Sequence, residues 1–226
     1  MKEITALVLC GGKGERLRPL TNSIPKPLIK IKGKPILGYI IDHIQKFNIK
    51  NFVFATGYQA QKIDTFLNTN YPDLNKKCSN AGDVDIIFRI KEAMKLIKGD
   101  FILFYGDTLS DVNIEKLIEH HLNNKGNATV TVWPLKSQFG LFEFDKSGML
   151  ASFKEKPTLD KWINIGYIYF DKSLRKMFDE TNLFQDFLNI LVKKKELNGY
   201  KHMGIHITVN TLQELELAEK NIESIV

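Results

Sequence analysis

Cysteine is scarce in this chain of 226 residues, and Cys10 and Cys78 have no metal-type spacing. A thiolate metal site is therefore excluded, and a reduced, cytoplasmic protein is expected. Cys10 ends an apolar run, where a small packing role fits a buried thiol. No run of 18 apolar residues occurs, and residues 1–10 read as a strand rather than a charged leader followed by an apolar stretch. Neither a membrane span nor a signal peptide is expected. Repeats, low-complexity tracts and linkers rich in glycine, serine or proline are also missing, so residues 1–226 are expected to form a single domain. A hydrophobic content of 43% and a charged content of 26% suit one soluble core, burying about 70–75% of the unfolded surface. Net charge is +6, with an isoelectric point near 9.1. Such a balance steers small polyanions toward a site. Nucleic acid is not the expected partner, because the densest basic run, Lys193-Lys194-Lys195, lies in a helical pattern without interleaved aromatics.

The most informative stretch is Leu9-Cys10-Gly11-Gly12-Lys13-Gly14-Glu15-Arg16-Leu17, followed by Pro25-Lys26-Pro27. The aliphatic run Ile4 to Cys10 reads as a buried strand. It stops at three glycines in four residues, whose amides can point at phosphate oxygens. Arg16 and Lys26 add two positive charges to the same loop. A P-loop is excluded because no Gly-Lys-Ser/Thr follows. A dinucleotide fingerprint is excluded because Leu17 stands at its third glycine. A nicotinamide site also needs an acid about 20 residues beyond the loop, and Ile29 to Lys34 supplies none. The loop reads as a nucleoside triphosphate site.

Three β-then-α units follow one another in the first half. Pro35 opens a helix whose Ile36, Leu37, Ile40, Ile41 and Ile44 share one face. Asn51 to Thr56 reads as a second buried strand, and Ala60 to Leu67 as a helix. Asn68 to Asp83 is polar. Ile86, Ile87, Ile90, Met94 and Ile97 keep helical register, and Phe101 to Tyr105 is a third strand running into Gly106-Asp107. This order predicts an α/β fold: a Rossmann-like, mostly parallel sheet sandwiched by helices, with ligands at the carboxyl ends of the strands. Strands over 128–133, 139–144, 149–154 and 163–170 predict an antiparallel extension in the second half. Asp145 to Gly148 reads as a hairpin turn, and helices near Leu183–Lys195 and Leu212–Ile222 close the chain.

The compound motif Gly11-Gly12-x-Gly14-x-Arg16-Leu17-x-Pro19-Leu20-Thr21, then Pro25-Lys26-Pro27-Leu28, resembles the signature of the sugar-1-phosphate nucleotidylyltransferases. Glu155-Lys156-Pro157, Asn164-Ile165-Gly166 and Phe139-Gly140 resemble that family's sugar-side segments. The resemblance implies a GT-A-like nucleotidyltransferase fold and transfer of a nucleoside monophosphate to a sugar 1-phosphate, with release of pyrophosphate. It divides the chain into a nucleotide-binding half, 1–112, and a sugar-phosphate half, 113–226. Leu9, Gly11, Gly12 and Gly14 would hold the nucleotide, with Arg16 and Lys26 on its phosphates. Lys156 would grip the acceptor phosphate, and Gly140, Glu155, Asn164 and Gly166 would line the sugar pocket. Asp107 is expected to bind Mg²⁺, which takes one or two protein carboxylates and fills its shell with phosphate and water. Read as an isolated residue, Asp107 is equally a helix cap or turn residue. Asp111 is a water-mediated helper or the cap of the helix that starts near Asn113.

The chain departs from the family pattern near its end. The segment His206 to Thr211 carries Asn210 where the resemblance places a second metal carboxylate. An amide oxygen binds Mg²⁺ without the charge, which keeps a non-catalytic nucleotide-binding homologue as an alternative. His202 and His206 read as strand-surface residues. No general base is required, since a sugar 1-phosphate is largely dianionic at neutral pH. The base expected is cytosine. Asn80, Gly82 and Asp83, followed by Arg89-Ile90-Lys91, resemble the glucose-1-phosphate cytidylyltransferases, with Asp83 read equally as a helix cap. UTP and GTP remain alternatives, and the acceptor and oligomeric state, a homo-oligomer included, stay open.

Overall fold

The computed structural model describes residues 3–225. Thirteen strands occur among them. β1 (Thr5–Leu9), β2 (Lys30–Ile31), β3 (Lys34–Pro35), β4 (Asn51–Thr56), β5 (Asn75–Asn80), β6 (Phe101–Tyr105) and β7 (Thr108–Ser110) precede residue 113. β8 (Ala128–Lys136), β9 (Leu141–Phe144), β10 (Leu150–Lys154), β11 (Thr158–Phe170), β12 (Leu197–Lys201) and β13 (His206–Thr208) follow it. The helices are α1 (Leu20–Ser23), α2 (Ile36–Gln45), α3 (Ala60–Asn70), α4 (Ile86–Met94), α5 (Ile114–Asn123), α6 (Arg175–Asp179), α7 (Phe184–Lys193) and α8 (Leu212–Asn221).

Seven strands form one sheet in the order β12-β8-β11-β6-β1-β4-β5. The central strand is β1, parallel to β4 on one side and to β6 on the other. Its continuous aliphatic run follows from burial on both faces. Side chains alternate between two layers with the strand period of two. Ala6, Val8, Phe52, Phe54, Ile102 and Phe104 point to the layer of α2, where Ile36, Leu37, Ile40, Ile41 and Ile44 are buried as their spacing predicts. Leu7, Val53, Ala55, Phe101 and Leu103 point to the opposite layer, built on α4, α6 and α7. The α/β sheet read from the sequence is therefore the observed one.

The second half continues the same sheet edge to edge. β11 runs antiparallel to β6, β8 antiparallel to β11, and β12 parallel to β8. The outer parts of β8 and β11 leave the core as a two-stranded arm, from which the β9–β10 hairpin continues. The Asp145–Gly148 turn closes that hairpin as expected, with the Asp145 carboxylate accepting from the amides of Ser147 and Met149.

The short elements β7, β12, β13 and α6 go unread in the sequence, β9 starts at Leu141 rather than Phe139, and two further segments differ for a clear reason. The polar segment 68–83 contains β5, which pairs in parallel with β4. β5 is an edge strand, so Asn75-Lys76-Lys77-Cys78-Ser79-Asn80 needs no apolar alternation and gives no periodic signal. β11 starts at Thr158, five residues before the apolar run at Ile163, because the arm beyond the core is exposed. Among the described residues, no helix is long and apolar enough to cross a membrane.

The layer under α7 is aromatic. Phe187 is fully buried and stacks on Phe178 with ring centroids 3.9 Å apart, and Phe170 and Phe184 pack beside it. Truncation leaves a cavity that the surrounding rings cannot close. Phe187→Ala is expected to cost about 3–5 kcal/mol. Denaturant unfolding checks this, and a loss below about 1 kcal/mol would show a layer that repacks freely.

Candidate active site

Parallel strands deliver their carboxyl ends to one edge, and adjacent strands deliver them side by side. Leu9 at the end of β1 is in register with Tyr105 at the end of β6 and with Ala55 of β4. The Gly11 loop and the Gly106-Asp107 turn thus start as neighbours. The loop is anchored by the Cys10 amide on the Ala55 carbonyl (2.8 Å) and the Tyr58 amide on the Gly11 carbonyl (3.1 Å). Cys10 is buried, as its packing role requires, and burial pushes its thiol far above the ordinary range. Gly12 is exposed, and Gly14, whose carbonyl accepts from the Thr21 hydroxyl, heads a 3₁₀ turn through Arg16.

Four expected residues converge from distant parts of the chain. Lys26 Nζ donates to Asp107 Oδ2 at 2.5 Å and to Asn210 Oδ1 at 2.8 Å. Arg16 Nη2 donates to the same Asn210 oxygen at 3.0 Å. The Lys26 side chain is only 11% exposed, so its charge is held by these oxygens more than by water. Asp107 and Asn210 are fixed from behind. β7 pairs with β13, and the Val209 amide donates to the Asp107 carbonyl at 3.1 Å. Glu214 in the first turn of α8 accepts from the Asn210 amide at 2.5 Å, while the Thr211 hydroxyl caps the helix. The donor set of one carboxylate and one amide oxygen, aimed at a single cation, fits a hard divalent ion that needs few protein ligands. No cluster of three or more His, Cys, Asp or Glu with metal-ligand geometry occurs among the described residues, so a zinc-type cage is absent there.

Asp111 and the two histidines differ from expectation. Asp111 does not cap α5; Asn113 does, accepting from the Lys116 amide. Instead Asp111 Oδ1 meets His202 Nε2 at 2.9 Å and the Ile205 amide at 2.6 Å. His202 is buried rather than surface-exposed and also meets the Ser110 hydroxyl at 3.1 Å. This knot ties the end of β7 to the segment entering β13. The next histidine, His206, is half-buried, and burial, followed by the neighbouring His202, lowers its pKa to about 4. Sequence reasoning missed the knot because its parts lie 91 residues apart.

Asp83 likewise does not cap α4, whose cap is Asp85. Asp83 pairs with Lys13 at 2.5 Å on the surface, bridging the glycine loop to the segment after β5. In that segment Asn80 Oδ1 accepts from the Gly82 amide at 3.0 Å. Beneath the loop lies Arg89, which is 8% exposed. Its Nη2 donates to the carbonyls of Val84 (2.9 Å) and Gly82 (3.4 Å), and its Nε is buried without a partner. A Cβ on Gly11 would stand 2.3 Å from that Nε, so a side chain there would push the guanidinium from its place. Burial lowers the Arg89 pKa from its ordinary value. The signal for Arg89 is a charged residue on the apolar face of α4, between Ile86 and Ile90.

The residues expected on the sugar side fall into two groups. Asn164 Nδ2 donates to the Tyr105 hydroxyl at 3.3 Å, and its Oδ1 accepts from the Gly166 amide at 2.8 Å. Gly166 has φ +78°, and a Cβ there would meet the Tyr105 ring at 2.3 Å. This pair therefore sits on the residue two before Asp107. Gly140, Glu155 and Lys156 lie at the root of the hairpin, where a Cβ on Gly140 would meet the Phe153 ring and the Glu155 carboxylate. Among the described residues, no hydrogen bond or ion pair joins that root to the Lys26 cluster.

Comparison with known proteins agrees with this arrangement. The family model for nucleotidyl transferases matches residues 5–204, and the chain belongs to that family. It is similar to the "Probable glucose-1-phosphate cytidylyltransferase" of Bacillus subtilis, 33% identical, covering 93% of this chain and 92% of the relative. The D-glycero-alpha-D-manno-heptose 1-phosphate guanylyltransferase of Aneurinibacillus thermoaerophilus is 27% identical, covering 96% and 98%. The crystal structure of a UDP-glucose pyrophosphorylase complexed with UDP-glucose superposes with a TM-score of 0.77 over 98% of both chains, at 16% identity, and thus shares the fold. The resemblance read from the glycine motif is that of the family, whose members are sugar-phosphate nucleotidylyltransferases.

His206 gives this region a pH signature. Between the ordinary histidine pKa near 6.5 and the folded value of about 4, the unfolded chain takes up a proton that the folded chain does not. Stability contributed here is thus complete above pH 6.5 and falls as pH drops through that window. Wild type is expected to lose more thermal stability than His206→Gln between pH 7 and pH 4.5. Equal losses would contradict the burial of a neutral imidazole.

Proposed function

We propose that this chain transfers a nucleoside monophosphate, with CTP as the favoured donor, to a sugar 1-phosphate, releasing pyrophosphate and forming a nucleotide sugar. The family supports the reaction class. The observation that carries it to this chain is the convergence of Lys26 and Arg16 on Asp107 and Asn210 at the mouth of the glycine loop.

The chemistry asks for positioning and charge neutralisation. The acceptor phosphate is dianionic at neutral pH, so its oxygen attacks the α-phosphorus without a general base. One P–O bond forms there as the α–β bridging bond breaks, and the electron pair leaves with pyrophosphate. In this reading the amides of Gly11, Gly12 and Gly14 hold the triphosphate against the end of β1. Arg16 faces the β and γ phosphates, and Lys26 the α phosphate, where charge builds in the transition state. Lys156 would hold the incoming phosphate, with Gly140, Glu155, Asn164 and Gly166 lining the sugar's place. A Mg²⁺ ion bound by Asp107, with Asn210 adding a neutral oxygen, would supply further neutralisation of the phosphates. The nucleotide thus falls to residues 1–112 and the acceptor to residues 113–226.

Asn210 motivates the second reading, a nucleotide-binding homologue without turnover. What supports the first reading is the pair of hydrogen bonds that its side-chain oxygen accepts from Arg16 and Lys26, which hold the amide within the cluster. Asp107→Ala is expected to abolish turnover while leaving a folded protein, and excess Mg²⁺ should not restore it. Pyrophosphate release at the wild-type rate from that variant would remove Asp107 from the mechanism.

The preference for cytosine rests on the relatives named as cytidylyltransferases and on the segment from Asn80 to Arg89. Cytosine offers an N4 amino donor, which a carbonyl or carboxylate of this segment or of the Gly11 loop would accept. Uracil replaces that donor with a carbonyl, and the unpaired acceptor left behind costs ~1–3 kcal/mol. Relatives named as guanylyltransferases supply the competing donor. In a mixture of equal CTP, UTP, GTP and dTTP, at least about tenfold preference for CTP is expected. A clear preference for any other nucleotide defeats the assignment.

A further inference from the structure

Arg89 is costly where it stands. It belongs to the buried stripe of α4, with Ile87 and Ile90, where an aliphatic side chain would fill the space without burying a charge. Among the described residues no carboxylate pairs with it: Asp83 is engaged by Lys13, and Asp85 accepts from the first amide of α4. Its hydrogen-bond partners there are two carbonyls, those of Val84 and Gly82, and both are served by Nη2. Nε is buried with no partner. A buried donor left unpaired is rare in native proteins, and packing alone does not account for it.

What the guanidinium touches supplies the reason. A Cβ on Gly11 would fall 2.3 Å from Nε and 2.7 Å from Cζ, so the group fills the space directly against the glycine loop. Its Nη2 meanwhile holds segment 82–84 by the two carbonyls. Gly57 closes the same junction. A Cβ there would meet the Gly82 carbonyl at 2.6 Å and the Gly11 carbonyl at 2.9 Å. Three backbone segments thus meet without side chains between them, and Arg89 bridges two of them. The surface pair of Lys13 and Asp83 joins the same two segments, but its side chains are 41% and 74% exposed, and such a pair contributes little. The firm tie is the buried one. A flat fork that reaches two carbonyls fixes both distance and tilt, which an ammonium does not. A ligand that spans two walls binds best when their spacing is set beforehand.

We propose that Arg89 is a positioning residue: it presets the spacing between the glycine loop and segment 82–84, and so couples the nucleoside to its triphosphate in binding. The inference rests on the nucleotide reading given above, and it holds whichever base is used. Titration calorimetry on the whole chain with Mg²⁺ and no acceptor tests it. The two ligands are inorganic tripolyphosphate and whichever of CTP, UTP, GTP and dTTP binds most tightly. Wild type is expected to favour the nucleotide at least about tenfold. Arg89→Met should remove most of that advantage, while the affinity for tripolyphosphate changes less than about twofold. Arg89→Lys keeps the charge and should lose the advantage as well, which preserves the test if the methionine variant folds poorly. A purely structural residue would move the melting temperature and leave the ratio alone. An unchanged ratio in both variants, or equal weakening of both ligands, would overturn the proposal. A wild type that binds no nucleotide more tightly than tripolyphosphate would overturn the nucleotide reading, and the proposal with it.

Discussion

One ammonium group, Lys26 Nζ, is shared between the Asp107 carboxylate and the Asn210 amide oxygen, and the arrangement of the candidate site depends on it. The three residues come from the segment after the glycine loop, the turn after β6 and the residue before the cap of α8. Their meeting therefore requires the sheet, the β7–β13 pair and the closing helix to be in place together. A mostly buried ammonium with two oxygen partners is costly to leave unpaired, which gives the cluster a single favoured geometry. Its supports are hydrogen bonds to the backbone: the Val209 amide to the Asp107 carbonyl, and the Asn210 amide to the Glu214 carboxylate. Chemistry that works by charge placement needs such preorganisation.

The sheet explains why the cluster lies where it does. Parallel order in β6-β1-β4 brings two loop-bearing ends to one edge, and the antiparallel β11 then returns past β6. That return sets Asn164 and Gly166 against Tyr105. Close backbone approach at Gly11 and Gly166 lets a guanidinium and an aromatic ring pack where a side chain would stand. The same strand continues outward into the arm that carries Glu155 and Lys156, so these two residues lie on a projecting part of the fold.

Much of this was legible in the residues themselves. The aliphatic runs at Ile4–Cys10 and Phe101–Tyr105 have one stable use, a strand buried on both faces, and the glycines and Gly106-Asp107 mark their ends. The stripe in α2 gives its buried face directly. Asn210 was visible as a departure, but its two cationic partners were not, because they lie 184 and 194 residues away. β5 was silent because an edge strand needs no apolar pattern. The pairing of Asp111 with His202 and the burial of His202 depend on β13 docking against β7, for which three polar-rich residues give little local signal. Arg89 carried the opposite kind of signal, a charge inside an apolar stripe, whose meaning required the glycine loop above it.

The central claim is that these residues join two substrates rather than hydrolyse or merely hold one. Phosphorus NMR of the protein with CTP, glucose 1-phosphate and Mg²⁺ tests it most directly. The account predicts equal growth of pyrophosphate and of a diphosphate ester with two coupled phosphorus signals, as the triphosphate and the sugar phosphate both decline. Inorganic phosphate appearing without the diester, or both substrates remaining unchanged with every nucleoside triphosphate and sugar phosphate tried, would contradict it.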